Sequence, residues 1–258
     1  MRRILVAEDV ELNQVIVKHI IQSWGWEVAI ATNGSEAVKM ISGNDYDLIL
    51  MDIQMPEMDG IQATVQIRSL PDKQKAGIPI IAFTAHSLKE DAAKYIAAGM
   101  NDYLSKPFDE EKLYEIIMKY IGPERSGEPV LATDAKPVAG LPGREKLFDL
   151  SLIEAVSGGD KEFVRKMIDL FIETIPPNVQ ELNRYHAAQN WDMVSKMAHK
   201  LKSTLDSMGI QSVRQEVRVI EQSAKTGKDT DNLSILIHRV TQTVAACIKQ
   251  LEAEMVNM

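Results

Sequence analysis

One cysteine in 258 residues, few aromatics, no long apolar run and no surplus of positive charge are what this chain has little of. Cys247 alone cannot form a disulfide within the chain, and its apolar helical surroundings mark it as a small buried hydrophobe rather than a working thiol. A net charge of −8, aromatics at 5% and the lack of any basic run interleaved with aromatics argue against a broad nucleic-acid footprint, so no direct nucleic-acid partner is expected. No stretch approaches the roughly 18 apolar residues of a membrane span. The apolar run after Met1-Arg2-Arg3 is too short for a secretory signal. The expectation is a chain with no membrane segment, in the cytoplasm.

What is present is a globular composition, 45% apolar, on a length that suits one large or two ordinary domains. Four apolar runs each end in a chemically distinctive residue. Glu8 and Asp9 follow Ile4-Leu5-Val6-Ala7, Asp52 follows Leu48-Ile49-Leu50-Met51, Thr84 closes Ile78-Pro79-Ile80-Ile81-Ala82-Phe83, and Lys106 follows Asp102-Tyr103-Leu104-Ser105. Segments of helical spacing lie between the runs. Repeated strand-helix units of this kind build an α/β layer structure, a parallel sheet with helices on both faces. Ligands of such sheets bind outside the carboxyl ends of the strands, so residues far apart in sequence are expected to gather into one acidic pocket with a cation and a hydroxyl at its edge.

The alternation runs to Ile121 and stops at Gly122-Pro123. From 122 to 146 the chain is rich in Pro and Gly without sustained period, which reads as a flexible linker between a domain at 1–121 and another at 147–258. The second domain is expected to be all-α, with long helical periods broken at Gly158-Gly159, Pro176-Pro177, Gly209 and Gly227. Val194, Ala198, Leu201, Leu205 and Met208 recur at helical spacing, as do Leu233, Ile237, Val240, Val244, Ile248 and Leu251, and several such helices with short breaks suggest an antiparallel bundle.

Three carboxylates held close together need a compensating cation. Magnesium fits best, as a hard ion that takes oxygen ligands and keeps waters, with calcium or manganese as a substitute. One carboxylate can then attack phosphorus to form an acyl phosphate while a lysine and a hydroxyl neutralise the phosphoryl oxygens, roles that suit Asp52, Lys106 and Thr84. A lone Asp at a strand end is usually a cap or turn former. The full set in this order is what points to chemistry.

Residues 2 to 121 resemble the receiver domain of two-component response regulators, through Glu8-Asp9, Met51-Asp52-Ile53-Gln54-Met55-Pro56, Thr84-Ala85 and Lys106-Pro107-Phe108. The resemblance implies a flavodoxin-like sheet of five parallel strands in the order 2-1-3-4-5. It further implies Asp52 as phospho-acceptor, Glu8, Asp9, Asp52 and the backbone carbonyl of Gln54 as metal ligands, Thr84 as switch hydroxyl, Tyr103 as a rotameric switch, and a Lys106-Pro107 bond that bends the lysine toward the pocket. Asn13-Gln14 resembles receivers attached to hybrid histidine kinases, whereas Val10 replaces the asparagine common there. Gln54 and His86, two residues beyond Asp52 and Thr84, are candidate modulators of hydrolysis.

In the second half, Ser195, His199, Lys202 and Asp206 recur at three- and four-residue steps and so share the polar face of a helix. A neutral imidazole is a good nucleophile toward phosphorus near pH 7, and Lys202 stands one turn away to pair with the group it acquires. The stretch Ala198-His199-Lys200-Leu201-Lys202-Ser203-Thr204 resembles the histidine phosphotransfer domain of phosphorelays, with further likeness at Phe148-Asp149-Leu150-Ser151, Phe163 to Phe171, Pro176, Trp191 and Gly209. The family often has glycine where this chain has Ser203, which slightly narrows the approach to His199. His186 and His238 lack a following Leu-Lys pair and read as surface residues.

Together the two resemblances imply a phosphorelay intermediate. Asp52 accepts from a phosphohistidine and His199 exchanges phosphoryl with a receiver aspartate, in the same molecule or another, with a sensor histidine kinase and a downstream response-regulator receiver as partners. The chain is expected to catalyse its own transfer and hydrolysis. No glycine-rich nucleotide-binding box is present, so ATP-dependent autophosphorylation is not expected of it. The competing expectation is a phosphorylation-switched adaptor with no relay through His199.

Overall fold

The computed structural model describes residues 1–84, 89–106, 108–122, 146–256 and 258, without the side chains of 89–91. The chain divides into two compact units, Met1–Leu131 and Ala132–Met258. Apart from Gly122 and Lys146, the expected linker at 122–146 lies outside the described residues, as do His86 and Pro107.

In the first unit the apolar runs become five strands, β1 Arg3–Ala7, β2 Glu27–Ala31, β3 Leu48–Asp52, β4 Ile80–Thr84 and β5 Asp102–Ser105. All pair in parallel, in the order β2-β1-β3-β4-β5 that the receiver resemblance implies. The intervening helices are α1 Glu11–Ser23, α2 Gly34–Gly43, α3 Gly60–Arg68, the single turn α4 Lys73–Ala76, α5 Lys89–Ala97 and α6 Glu110–Ile121. Their starts are written in the sequence: the Asn33, Asp59, Asp72 and Asp109 side chains each accept a backbone N–H of the first turn. Strand side chains alternate between faces. Leu5, Ala7, Ile49, Met51, Ile80 and Ala82 pack with Ala37 and Ile41 of α2, Ala63 and Ile67 of α3, and Tyr95 of α5.

The order reverses between β1 and β3, so the crevice opens beyond the ends of those two strands. Register fixes what meets there. Ala7 pairs with Met51, Asp52 with Phe83 and Thr84 with Ser105, so Glu8, Asp52, Thr84 and Lys106 leave the sheet at nearly one level. Behind Asp52 the chain turns so tightly that a side chain at Gly60 would run into the Asp52 carbonyl.

The second unit is helical: α7 Ser151–Ser157, α8 Lys161–Ala187, α9 Trp191–Ser207, α10 Arg214–Thr226 and α11 Leu233–Val256. Helix α9 packs on α8 and α10, and α11 packs on both of these, with short connections that make consecutive helices antiparallel. One expectation is corrected. Pro176-Pro177 does not break the chain into two helices, because both prolines lie inside α8. They remove two N–H donors, but Phe171, Ile175, Val179 and Leu182 along one stripe of α8 are buried, and that packing outweighs the lost bonds. Thr174 Oγ1 also donates 2.6 Å to the Leu170 carbonyl in this turn. Gly209, at φ +64°, lets the chain after α9 press against the Asp149 backbone, where a side chain would collide.

Candidate functional site

Glu8, Asp9 and Asp52 lie together, each offering an oxygen within 4.8 Å of the others. Glu8 is fully buried and Asp52 nearly so. Local geometry holds them: Glu8 Oε1 accepts the Val10 N–H and Asn13 Nδ2, both at 3.1 Å, and Asp52 Oδ1 accepts the Gln54 N–H at 3.2 Å. Lys106 Nζ donates to Glu8 Oε2 and, at 2.5 Å, to Asp52 Oδ2, bridging the ends of β1 and β3. The same ammonium sits 4.6 Å from the centre of the Phe83 ring.

Electrostatics show what this cluster is short of. Burial, with Asp52 and Asp9 adding to it, pushes the Glu8 carboxyl up to about 8 against the pull of Lys106. Burial also works against the Lys106 ammonium, but Asp52 and Glu8 outweigh it and raise Lys106 above the ordinary lysine range. Among the described residues one ammonium faces these three carboxylates, and the donors are all hard oxygens. Such a set fits a divalent cation of the magnesium type.

Thr84 is buried at the end of β4, and its carbonyl accepts the Lys106 N–H at 2.7 Å, locking lysine and threonine backbones together. The Thr84 hydroxyl lies 3.4 Å from the Tyr95 hydroxyl of α5. Tyr103, by contrast, is 37% exposed on β5.

His199 is on α9, with its side chain largely covered rather than displayed. Its Nδ1 lies 2.7 Å from Glu221 Oε1 on α10, while Lys202 Nζ donates 2.6 Å to Glu221 Oε2. Lys202 therefore departs from the open polar face expected of it: it is only 2% exposed, drawn inward by the carboxylate of the neighbouring helix. Burial works to raise Glu221, but His199 and Lys202 outweigh it and hold the carboxyl at about 2. For Lys202 burial wins over Glu221 and lowers the ammonium below the ordinary range. An ionised Glu221 only accepts, so Nδ1 is the ring nitrogen that donates to it and Nε2 faces away from this carboxylate. Ser203 is buried beside this group, and Asp206 is tied to Arg214 at 2.9 Å.

Residues 4–118 match the family model of the response regulator receiver domain, and residues 166–254 match that of the Hpt domain. The chain is a receiver domain followed by an Hpt domain. It belongs to the phosphorelay branch of two-component signalling.

Curated histidine kinases align along most of the chain. The signal transduction histidine-protein kinase BarA of Escherichia coli is 27% identical over 230 residues, covering 89% of this chain and 25% of BarA. The sensor histidine kinase GacS of Pseudomonas protegens is 26% identical over 251 residues, covering 92% of this chain and 26% of GacS. The chain thus spans about a quarter of the length of these curated relatives. A receiver domain of a sensor histidine kinase from Pseudomonas aeruginosa, solved with a magnesium ion coordinated in its active site cleft, is 38% identical, covering 47% of this chain and 98% of that one at a TM-score of 0.44.

In the receiver the structure brings together Glu8, Asp9, Asp52 and Lys106, with Thr84 beside the lysine. In the Hpt domain it brings His199 and Lys202 together on Glu221, with Ser203 buried next to Lys202 in sequence. Two residues escaped the sequence reading, Glu221 and Tyr95. Glu221 stands on the inward side of a helix between Ile220 and buried Ser223, an unusual place for a carboxylate that could have flagged it. Tyr95, inside the apolar cluster, carried no comparable signal.

Proposed function

We propose that this chain relays a phosphoryl group through Asp52 and His199, with domains at 1–121 and 147–258 joined by a linker at 122–146. The observation that carries the proposal is the bridge of Lys106 between Glu8 and Asp52 at the switch point of the sheet. An Asp52 carboxylate oxygen attacks phosphorus as the P–N bond of a kinase's phosphohistidine breaks. The departing nitrogen keeps the electron pair, and an acyl phosphate forms. Lys106 turns from its carboxylates toward the new phosphoryl oxygens, and the Thr84 hydroxyl donates to another. Magnesium, or manganese in its place, would be held by Glu8, Asp9, Asp52 and the Gln54 carbonyl and would supply positive charge and a coordination position for a phosphoryl oxygen. Tyr103 follows Thr84 as a switch, and Gln54 and His86 tune water access and so the lifetime of the acyl phosphate.

His199 is the second carrier. Its Nε2 attacks phosphorus of an acyl phosphate as the P–O bond breaks and the carboxylate leaves, and the reverse step returns the group. Glu221 keeps the Nδ1 proton in place, Lys202 supplies positive charge one turn from the nucleophile, and Ser203 limits bulk beside it. The partners are a sensor histidine kinase and a downstream receiver, with docking between the chain's own two domains as a further route. The reading puts this relay in the cytoplasm.

The test is a phosphotransfer time course with magnesium and acetyl phosphate, separating acyl phosphate from acid-labile phosphohistidine in wild type, Asp52→Asn and His199→Gln. Phosphohistidine that follows the acyl phosphate and disappears in either variant supports an Asp52 to His199 relay, and dilution separates transfer within a molecule from transfer between molecules. Acyl phosphate alone would mean that the two domains serve different partners. No labelling would favour the adaptor.

A further inference from the structure

Tyr95 carries a phenol into an apolar cluster with Met55, Ile80, Ala82 and Met100. A hydroxyl in such surroundings is costly without a polar contact, and phenylalanine would fill the same space without that demand. One polar contact it makes is with Thr84, 3.4 Å from hydroxyl to hydroxyl, between two side chains that are both at least nine-tenths buried. That separation is long for an O–H···O bond, which marks the contact as weak and readily exchanged. The Thr84 backbone has little freedom, being paired with Ser105 and bonded through its carbonyl to the Lys106 N–H. Its hydroxyl has one proton to give, and rotation about the side-chain bond can redirect it.

We propose that Tyr95 is a positioning residue for Thr84, holding its hydroxyl toward α5 while Asp52 carries no phosphoryl group. This rests on the reading of Thr84 as the hydroxyl that meets the phosphoryl group. Phosphorylation draws the hydroxyl off Tyr95, exchanging a weak neutral bond for a charge-assisted one roughly twice as strong. Because Tyr95 is part of α5, the exchange is felt by that helix, and the chemical state of Asp52 reaches the surface of the domain through a residue other than Tyr103.

The experiment uses the full chain with magnesium and beryllofluoride as phosphoryl mimic, followed by fluorine NMR titration in wild type, Tyr95→Phe, Thr84→Ala and the double variant, with Asp52→Asn as control. Tyr95→Phe removes the competing contact and is expected to tighten binding about two- to fivefold, the scale of one modest hydrogen bond. In the Thr84→Ala background the same change is expected to do nothing, a dependence that a packing role would not produce. No effect of Tyr95→Phe, or an equal effect in both backgrounds, overturns the positioning role while leaving Asp52 as acceptor. Wild type that fails to bind the mimic in an Asp52-dependent way overturns the reading of the site and the inference with it.

Discussion

Glu221 meets His199 from a neighbouring helix, 22 residues on in sequence, with its other oxygen held by Lys202. One carboxylate thus orients the imidazole and compensates the buried ammonium. Removing it should therefore have two separable effects.

Glu221→Ala leaves the Lys202 ammonium buried without its partner, which costs on the order of 3–5 kcal/mol. A second change, Lys202→Met, should recover most of that loss, since no buried charge is then left. Urea denaturation of the three variants measures the cycle. Glu221→Gln tests the orienting effect: it keeps the volume but can present its amide N–H to Nδ1, and slower phosphorylation of His199 is expected.

Acid should weaken the Hpt domain. Glu221 is held at about 2, below its ordinary 4.5, so its contribution is fully present above 4.5 and is lost as the pH falls toward 2, where the unfolded chain binds the extra proton. The gap caps that contribution at about 3 kcal/mol. Calorimetric scans between pH 6 and 2 should show a steeper fall in wild type than in Glu221→Gln.

Magnesium should stabilise the receiver by mass action, by about 2.7 kcal/mol at a hundredfold excess over its dissociation constant. Asp9→Asn should shrink this response, as read from calorimetry in magnesium chloride and in chelator. Lys106→Met acts in the opposite sense: in chelator it strands Glu8 and Asp52 together and should destabilise the domain by about 3–5 kcal/mol. Glu8→Gln on the same chain should restore part of that stability.

Gly209→Ala should cost more than about 2 kcal/mol, through its positive φ and its collision with the Asp149 backbone. Gly43→Ala, with open space around it, serves as the mild comparison in the same denaturation assay.

Much of the receiver was legible because its signals are local. Alternating apolar runs make strands, Asn and Asp at helix starts make caps, and a parallel sheet converts the residue after each strand into a member of one pocket. Glu8, Asp9, Asp52, Thr84 and Lys106 needed only strand ends and strand order to be brought together. His199 and Lys202 were likewise legible as neighbours one turn apart on α9.

Tertiary structure alone decided the rest. Pro176-Pro177 is a breaker by propensity, yet the burial of Phe171, Ile175 and Val179 carries α8 through it. Periodicity placed Lys202 on a polar face, and a carboxylate from α10 drew it inward. Glu221 and Tyr95 matter because of what lies opposite them, and that is set by how α10 packs on α9 and α5 on β4. By itself, the sequence marked the strands and the residue that closes each, since these follow from periodicity over a few residues, whereas the strand order came from the resemblance to receiver domains. Partnerships across packed elements depend on the approach of surfaces distant along the chain, and only the folded molecule brings those surfaces together.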